Sequence, residues 1–305
     1  MVCTECNDAP SNGNCGLSRT YNSRDNDYFS EINRANHRLV DDLCRDFCQE
    51  ARDNVETVAQ FIKGNFSRPL DKYEAIINFY VPALWYAKPA SSGQGEIKRA
   101  LFGQREINGI MRSYGTDITV VAHEFCHGLI KSPPKNPLAE SFCDIFAVLV
   151  RNYHRDDGCY RNNPHNWLWD VGENFQEGTV SQRQLDKLLS LTSNGAESFY
   201  EQIQIDNWTT GNNNYHEHEL SLIHSHAFYR LMTTHNTVID GEPLFNGEFA
   251  LKLFRQVLKS ISALNNFLDS RRVFEEEAQL LLAPSPHIEV QLDAISQAFI
   301  DVGIK

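Results

Sequence analysis

The sequence has no surplus of positive charge. Twenty-eight Lys and Arg stand against forty Asp and Glu, a formal charge of −12, which repels polyphosphate and anionic lipid and offers neither nucleic acid nor a membrane surface a basic stripe. Long apolar runs are missing as well: IFAVLV is typical of the longest, far short of the roughly twenty residues that span a bilayer. The opening MVCTECNDAPSNGNC has no cationic flank and no hydrophobic stretch, so no secretory signal and a cytoplasmic location are expected. Cysteine is sparse, with eight at irregular spacing, which excludes a disulfide scaffold and favours a reducing compartment. The triplets Asn65-Phe-Ser and Asn207-Trp-Thr have glycosylation form, but triplets this short arise by chance. What is present is 305 residues, 41% apolar and 11% aromatic, enough for a real core in one large domain or two ordinary ones.

Residues 1–18, rich in Asn, Ser, Gly and Cys, read as a loose tail or short pro-segment. Helical spacing runs from Asp27 to about Phe66, through Leu39, Leu43, Phe47, Val55, Val58 and Phe61. AIINFYVPALWYA (75–87) reads as a strand, with Pro82 placing it at a sheet edge or a bulge, and RALFGQ as a second strand. Asp117 caps a predicted helix through VVAHEFCHGLI, which Gly128 and Pro133-Pro134 end. Asn136 and Pro137 open the next, LAESFCDIFAVLVRNY. Beyond Asn174 nearly every periodic segment is helical, QRQLDKLLSL (182–191) among them. The expectation is an α+β chain: an α/β part over 19–131, then a mainly helical part over 132–305.

HEFCH is the segment that carries chemistry. Residues four apart on a helix share a face, so His123 and His127 can point ring nitrogens at one ion with Glu124 beside them. A catalytic zinc takes a third protein ligand and keeps one position for water. Glu140 is the candidate, one turn into the following helix, and Asp144 lies a turn further on, placed to accept the second ring N–H of a ligating His. The bland alternative is two surface histidines on an amphipathic helix. Chance gives H-E-x-x-H in a chain of this size on the order of one time in a hundred, and the carboxylate pair makes coincidence rarer. In YHEHELSLIHSHAFYRLM, any of His216, His218, His224 and His226 could donate a proton or stabilise an oxyanion, and spacing does not choose among them.

Together these residues resemble the thermolysin family of zinc metallopeptidases, the gluzincins, and most closely its protealysin-like branch, whose motif reads HExxHG like His123 to Gly128. The resemblance runs from about Arg19 to the C-terminus. SRTYNSRD is similar to the start of a mature family domain, PALWYA to the edge strand that pairs with substrate, and AESFCDIF to the stretch holding the third zinc ligand. NWLWDVGENF and ISQAFIDVGI are similar to later family segments. It implies a thermolysin-like fold with the active site in a cleft between the two halves, and one catalytic Zn2+ on His123, His127 and Glu140. Glu124 would be the general base and a peptide or protein the substrate. It also selects His218 as the catalytic histidine, nine positions before Ala227, and the Ala83 carbonyl as an acceptor for substrate backbone.

Several positions depart from the family pattern. Asn213 stands where an Asp orients the catalytic His, Pro82 replaces an Asn, the family's oxyanion Tyr has no counterpart, and its substrate-gripping Arg aligns near Leu189. Asp170 and Glu173 match two Ca2+ ligands, but Arg151 and Leu168 occupy the positions of two others, so the calcium site is not carried over whole. Cys3, Cys6 and Cys15 read as reduced tail residues, and Cys44, Cys48, Cys126 and Cys143 as packing residues. A general metalloendopeptidase is the first reading. An amide hydrolase for a small or modified substrate and a zinc-binding pseudoprotease are the others.

Overall fold

Ala51, Val55, Val58 and Ile62 repeat at helical spacing and are each at most 2% exposed, so Asp42–Asn65 forms one amphipathic helix, α1. The computed structural model describes residues 18–22, 30–31, 42–66, 72–77, 84–89, 96–102, 104–107, 110–130, 137–155, 163–173, 183–186, 217–261, 264 and 266–305. The tail with Cys3, Cys6 and Cys15, the residues Pro82, Ala83, Asn136, Leu189, Asn213 and His216, and both proline positions 133 and 134 lie outside them. Two compact units result: Met1–Leu129 with Gly172–Gln182, and Ile130–Val171 with Arg183–Lys305.

In the first unit, β1 (Ser18–Asn22), β2 (Ser30–Glu31), β3 (Lys72–Ile77), β4 (Leu84–Pro89) and β5 (Glu96–Phe102) form one sheet in the order β2-β1-β3-β5-β4. Pairing is antiparallel except between β3 and β5. The run 75–87 is therefore two strands rather than one. β3 ends at Ile77, β4 begins at Leu84, and β5 lies between them in the sheet. The expected edge position holds for β4. A hairpin of β6 (Gln104–Ile107) and β7 (Ile110–Ser113) and a 3₁₀ turn at Tyr114–Thr116 lead into helix α2 (Ile118–Leu129). Asp117 caps it as expected, Oδ1 accepting from the Thr119 N–H at 2.9 Å. Helix α1 packs against α2 and the 3₁₀ turn, and Asn54 Nδ2 donates to the Gly115 carbonyl at 3.1 Å.

Helix α3 (Pro137–Tyr153) is the centre of the second unit. Every residue from Leu138 to Val150 is buried, as befits a helix apolar on nearly all sides. It packs against α4 (Glu217–Met232) and α5 (Gly247–Ser260). Helices α6 (Phe267–Leu282) and α7 (Ile288–Ile300) pair with each other, α6 also with α5 and α7 with α4. Phe142 lies 5.7 Å from Phe254 and 6.1 Å from Phe274 between ring centroids, and such pairs contribute about 0.5–1.5 kcal/mol beyond their burial. Asn246 and Asn266 cap α5 and α6 by accepting from the Phe249 and Asp269 N–H groups. Between β10 (Val238–Ile239) and β11 (Glu242–Pro243), Asp240-Gly241 makes a two-residue turn with φ of 53° and 86°, the left-handed pair such hairpins require.

One predicted helix begins otherwise. Arg183–Gln184, at the head of 182–191, is a strand, β9, paired with β8 (Asp170–Val171). The Leu185 N–H continues the pairing to the Trp169 carbonyl at 3.0 Å, and Leu185 is fully buried. Tertiary pairing overrides the helical spacing at this point. Among the described residues, no helix is long and apolar enough to cross a membrane.

Candidate metal centre

The apolar segment ITVVAHEFCHGL forms a buried helix, and this takes its polar residues into the interior with it. His123 is 1% exposed and Glu124 8%, while His127 is half-buried in the last turn. The two imidazoles meet edge to face at 83°, and their Nε2 atoms are 3.2 Å apart. Two nitrogens bound to one tetrahedral zinc at about 2.0–2.1 Å lie about 3.3 Å apart. The separation is close to that of two ligands on one ion and is equally within hydrogen-bond range.

In the second unit α3 brings Glu140 and Asp144 to one face, a turn apart, at 9% and 0% exposure. Two buried carboxylates this close carry a large desolvation cost unless a cation faces them. Arg183 is that cation. Its Nη1 is 3.1 Å from Asp144 Oδ1 and 3.7 Å from Glu140 Oε2. Ser221 of α4 donates to Asp144 Oδ2 at 3.4 Å. Sequence reasoning missed Arg183, because it looked for the family arginine near Leu189 and read 182–191 as helix. The available signal was an arginine in a segment following two buried acids that need a partner.

The histidine cluster resolves in part. His218 stands at the start of α4. His224 is sealed in the core. Its Nδ1 is 2.7 Å from Ser141 Oγ and its Nε2 2.8 Å from Ser270 Oγ, with Phe142 and Phe267 stacked on the ring. Burial pushes its pKa down to about 3. His226 donates from Nδ1 to the Leu185 carbonyl at 2.7 Å and stacks on Tyr229; burial lowers its pKa too. Both are core histidines. Cys126 and Cys143 are fully buried.

Arg151 and Leu168, set by the resemblance at two calcium-ligand positions, make other contacts. Arg151 presents a guanidinium, whose Nη1 donates to the Asp170 carbonyl at 3.3 Å, and the Leu168 carbonyl accepts from Asn152 Nδ2 at 3.0 Å. A calcium ion needs six to eight oxygens, and a guanidinium contributes none.

The sequence profile of the thermolysin metallopeptidase alpha-helical domain matches residues 136–304, which include Glu140, Asp144, Arg183 and His218; the HEFCH segment lies just upstream. No curated protein matches the chain. Among solved structures, the precursor of protealysin, a metalloproteinase from Serratia proteamaculans, is similar in fold. Its TM-score is 0.58 at 18% identity, over 90% of this chain and 81% of that one. With more than half its length inside the family profile, the chain belongs to the thermolysin metallopeptidases and is a hydrolase of peptide bonds.

Proposed function

We propose that the chain cleaves peptides by a Glu124-activated water at a single zinc ion held by His123, His127 and Glu140. The observation that supports this most directly is the 3.2 Å between the two Nε2 atoms, the spacing two ligands of one ion require. When bound, zinc supplies Lewis acidity that polarises the scissile carbonyl and lowers the pKa of a water. Glu124 takes the water's proton on its carboxylate and passes it to the leaving amine. His218 stabilises negative charge on the carbonyl oxygen, and the Ala83 carbonyl accepts a hydrogen bond from substrate backbone. Asp144 accepts the second ring N–H of a ligating histidine and fixes its tautomer. Arg183 stands against Glu140 and Asp144 and offsets the charge of the buried pair.

A second reading is a hydrolase restricted to a small or modified amide. Asn213 supports it, because a neutral amide stabilises an imidazolium less well than a carboxylate. Its other support, a missing arginine, is weakened by Arg183. The test is a casein and peptide-library digest of zinc-loaded wild type and Glu124→Gln. Chelator-sensitive cleavage by wild type is expected, with a loss of about 10²–10⁴-fold in the variant and zinc content unchanged. Undiminished cleavage by Glu124→Gln would sink the general-base role, and turnover of small amides alone would favour the restricted enzyme.

A further inference from the structure

Arg183 sits on a strand of two residues, and a ribbon that short does not hold itself in place. Three contacts fix it. One is the pairing of β9 with β8, the second is the Leu185 N–H to the Trp169 carbonyl at 3.0 Å, and the third comes from α4, where His226 Nδ1 donates to the Leu185 carbonyl at 2.7 Å. That bond is dry, with Leu185 fully buried and His226 at 6% exposure. It also fixes the ring, because donation from Nδ1 to a carbonyl requires a proton on Nδ1. Tyr229, one turn on, stacks against the imidazole with centroids 5.2 Å apart and sets its plane. Without His226 a buried carbonyl loses its partner, and the turn that carries Arg183 loses its tie to α4.

We infer that His226 is a positioning residue for the peptidase reaction: through the Leu185 carbonyl it holds the Arg183 guanidinium against Asp144 and Glu140. The helix that bears His218 thereby also sets where the cation beside Glu140 stands. Groups that orient metal ligands typically change metal affinity or activity 10–100-fold when removed, and a guanidinium displaced by around 1 Å falls in that range. His226 touches neither substrate nor ion. Its effect passes entirely through Arg183.

The inference rests on the reading in which Glu140 and Asp144 serve the zinc, and a double-mutant cycle with a rescue variant separates the two. His226→Leu, His226→Asn, Arg183→Met and the double variant His226→Leu/Arg183→Met are compared with wild type. Zinc affinity is measured against a chromophoric chelator, and kcat and KM on a fluorogenic peptide that wild type cleaves. His226→Leu is expected to weaken zinc binding or kcat/KM about tenfold. His226→Asn, whose amide N–H replaces Nδ1–H, should return within about threefold of wild type. In the Arg183→Met background, His226→Leu should add nothing further. Multiplying effects in the double variant, or no recovery with Asn, would overturn the inference. If wild type neither binds zinc nor cleaves, the zinc reading has failed, and the same cycle is read from urea midpoints instead. Coupling between positions 226 and 183 then upholds the positioning contact, and additivity removes it. Should His226→Leu not fold, His226→Asn and Arg183→Met still decide by whether they leave zinc affinity respectively near wild type and lowered.

Discussion

His123 and His127 on α2 and His224 and His226 on α4 are two pairs of histidines carried by apolar helices, and their ring nitrogens face different partners. The first pair turns Nε2 toward Nε2 across 3.2 Å, the relation two ligands of one ion share. The second turns its nitrogens to the protein itself, to Ser141 and Ser270 from His224 and to the Leu185 carbonyl from His226. Burial alone does not make a histidine a ligand. The deciding feature is whether the fold supplies each ring nitrogen with a hydroxyl or a carbonyl, or aims two rings at one point.

The comparison breaks most sharply on metal content. His123→Ala and His127→Ala are each expected to lose bound zinc almost completely, while His224→Gln and His226→Asn retain about one equivalent, as read by elemental analysis after gel filtration. Zinc retained by His123→Ala, or lost by His224→Gln, would reverse the assignment of the two pairs. The second contrast is in stability. Replacing His224 by Leu deprives the Ser141 and Ser270 hydroxyls of a partner inside the core, a cost of about 2–4 kcal/mol by urea unfolding. A loss below about 0.5 kcal/mol would mean that the hydroxyls find other partners.

A pH profile sharpens the same contrast. The pKa of His224 falls from 6.5 to about 3 on burial. Between those values the unfolded chain binds a proton that the folded one refuses. Stability is therefore full above pH 6.5 and drains away as the pH falls toward 3, by up to about 1.4 kcal/mol per pH unit from this group. Carboxylates titrate in the same range, so the measurement is the difference between wild type and His224→Gln at pH 7, 6, 5 and 4. That difference should shrink steadily toward low pH, and a constant offset would show that His224 is not held neutral.

What was legible in the sequence follows the range of the forces involved. Helix spacing and the Asp117 cap are local, and they gave α2, α3 and the face on which Glu140 and Asp144 stand. The split of 75–87 into β3 and β4 was not legible, because the intervening partner β5 comes later in the chain. Nor was Arg183. Its strand exists through pairing with Asp170–Val171, and its meaning comes from carboxylates some forty positions earlier. His224 and His226 looked equivalent to His218 for the same reason, since their hydroxyl and carbonyl partners lie between 41 and 83 positions away.

The smallest expected effect concerns the end of α3, where side chains satisfy backbone carbonyls. At the end of α3, Arg151 donates to the Asp170 carbonyl, Asn152 to the Leu168 carbonyl and Arg155 to the Asn166 carbonyl. Carbonyls that run from a 3₁₀ turn into β8 are thus held by side chains at and just beyond the end of α3, and the positive charge there is covalently part of the chain. Millimolar calcium added to zinc-saturated protein is accordingly expected to move the thermal midpoint by less than about 1 °C, since a ligand without a site on the folded state shifts nothing. Arg151→Met should lower the midpoint by about 2–4 °C through the lost charge-assisted hydrogen bond. A saturable rise with calcium in wild type would mean that oxygen ligands assemble there despite the guanidinium. The distinction between metal-holding and protein-satisfied positions would then rest on the two histidine pairs alone.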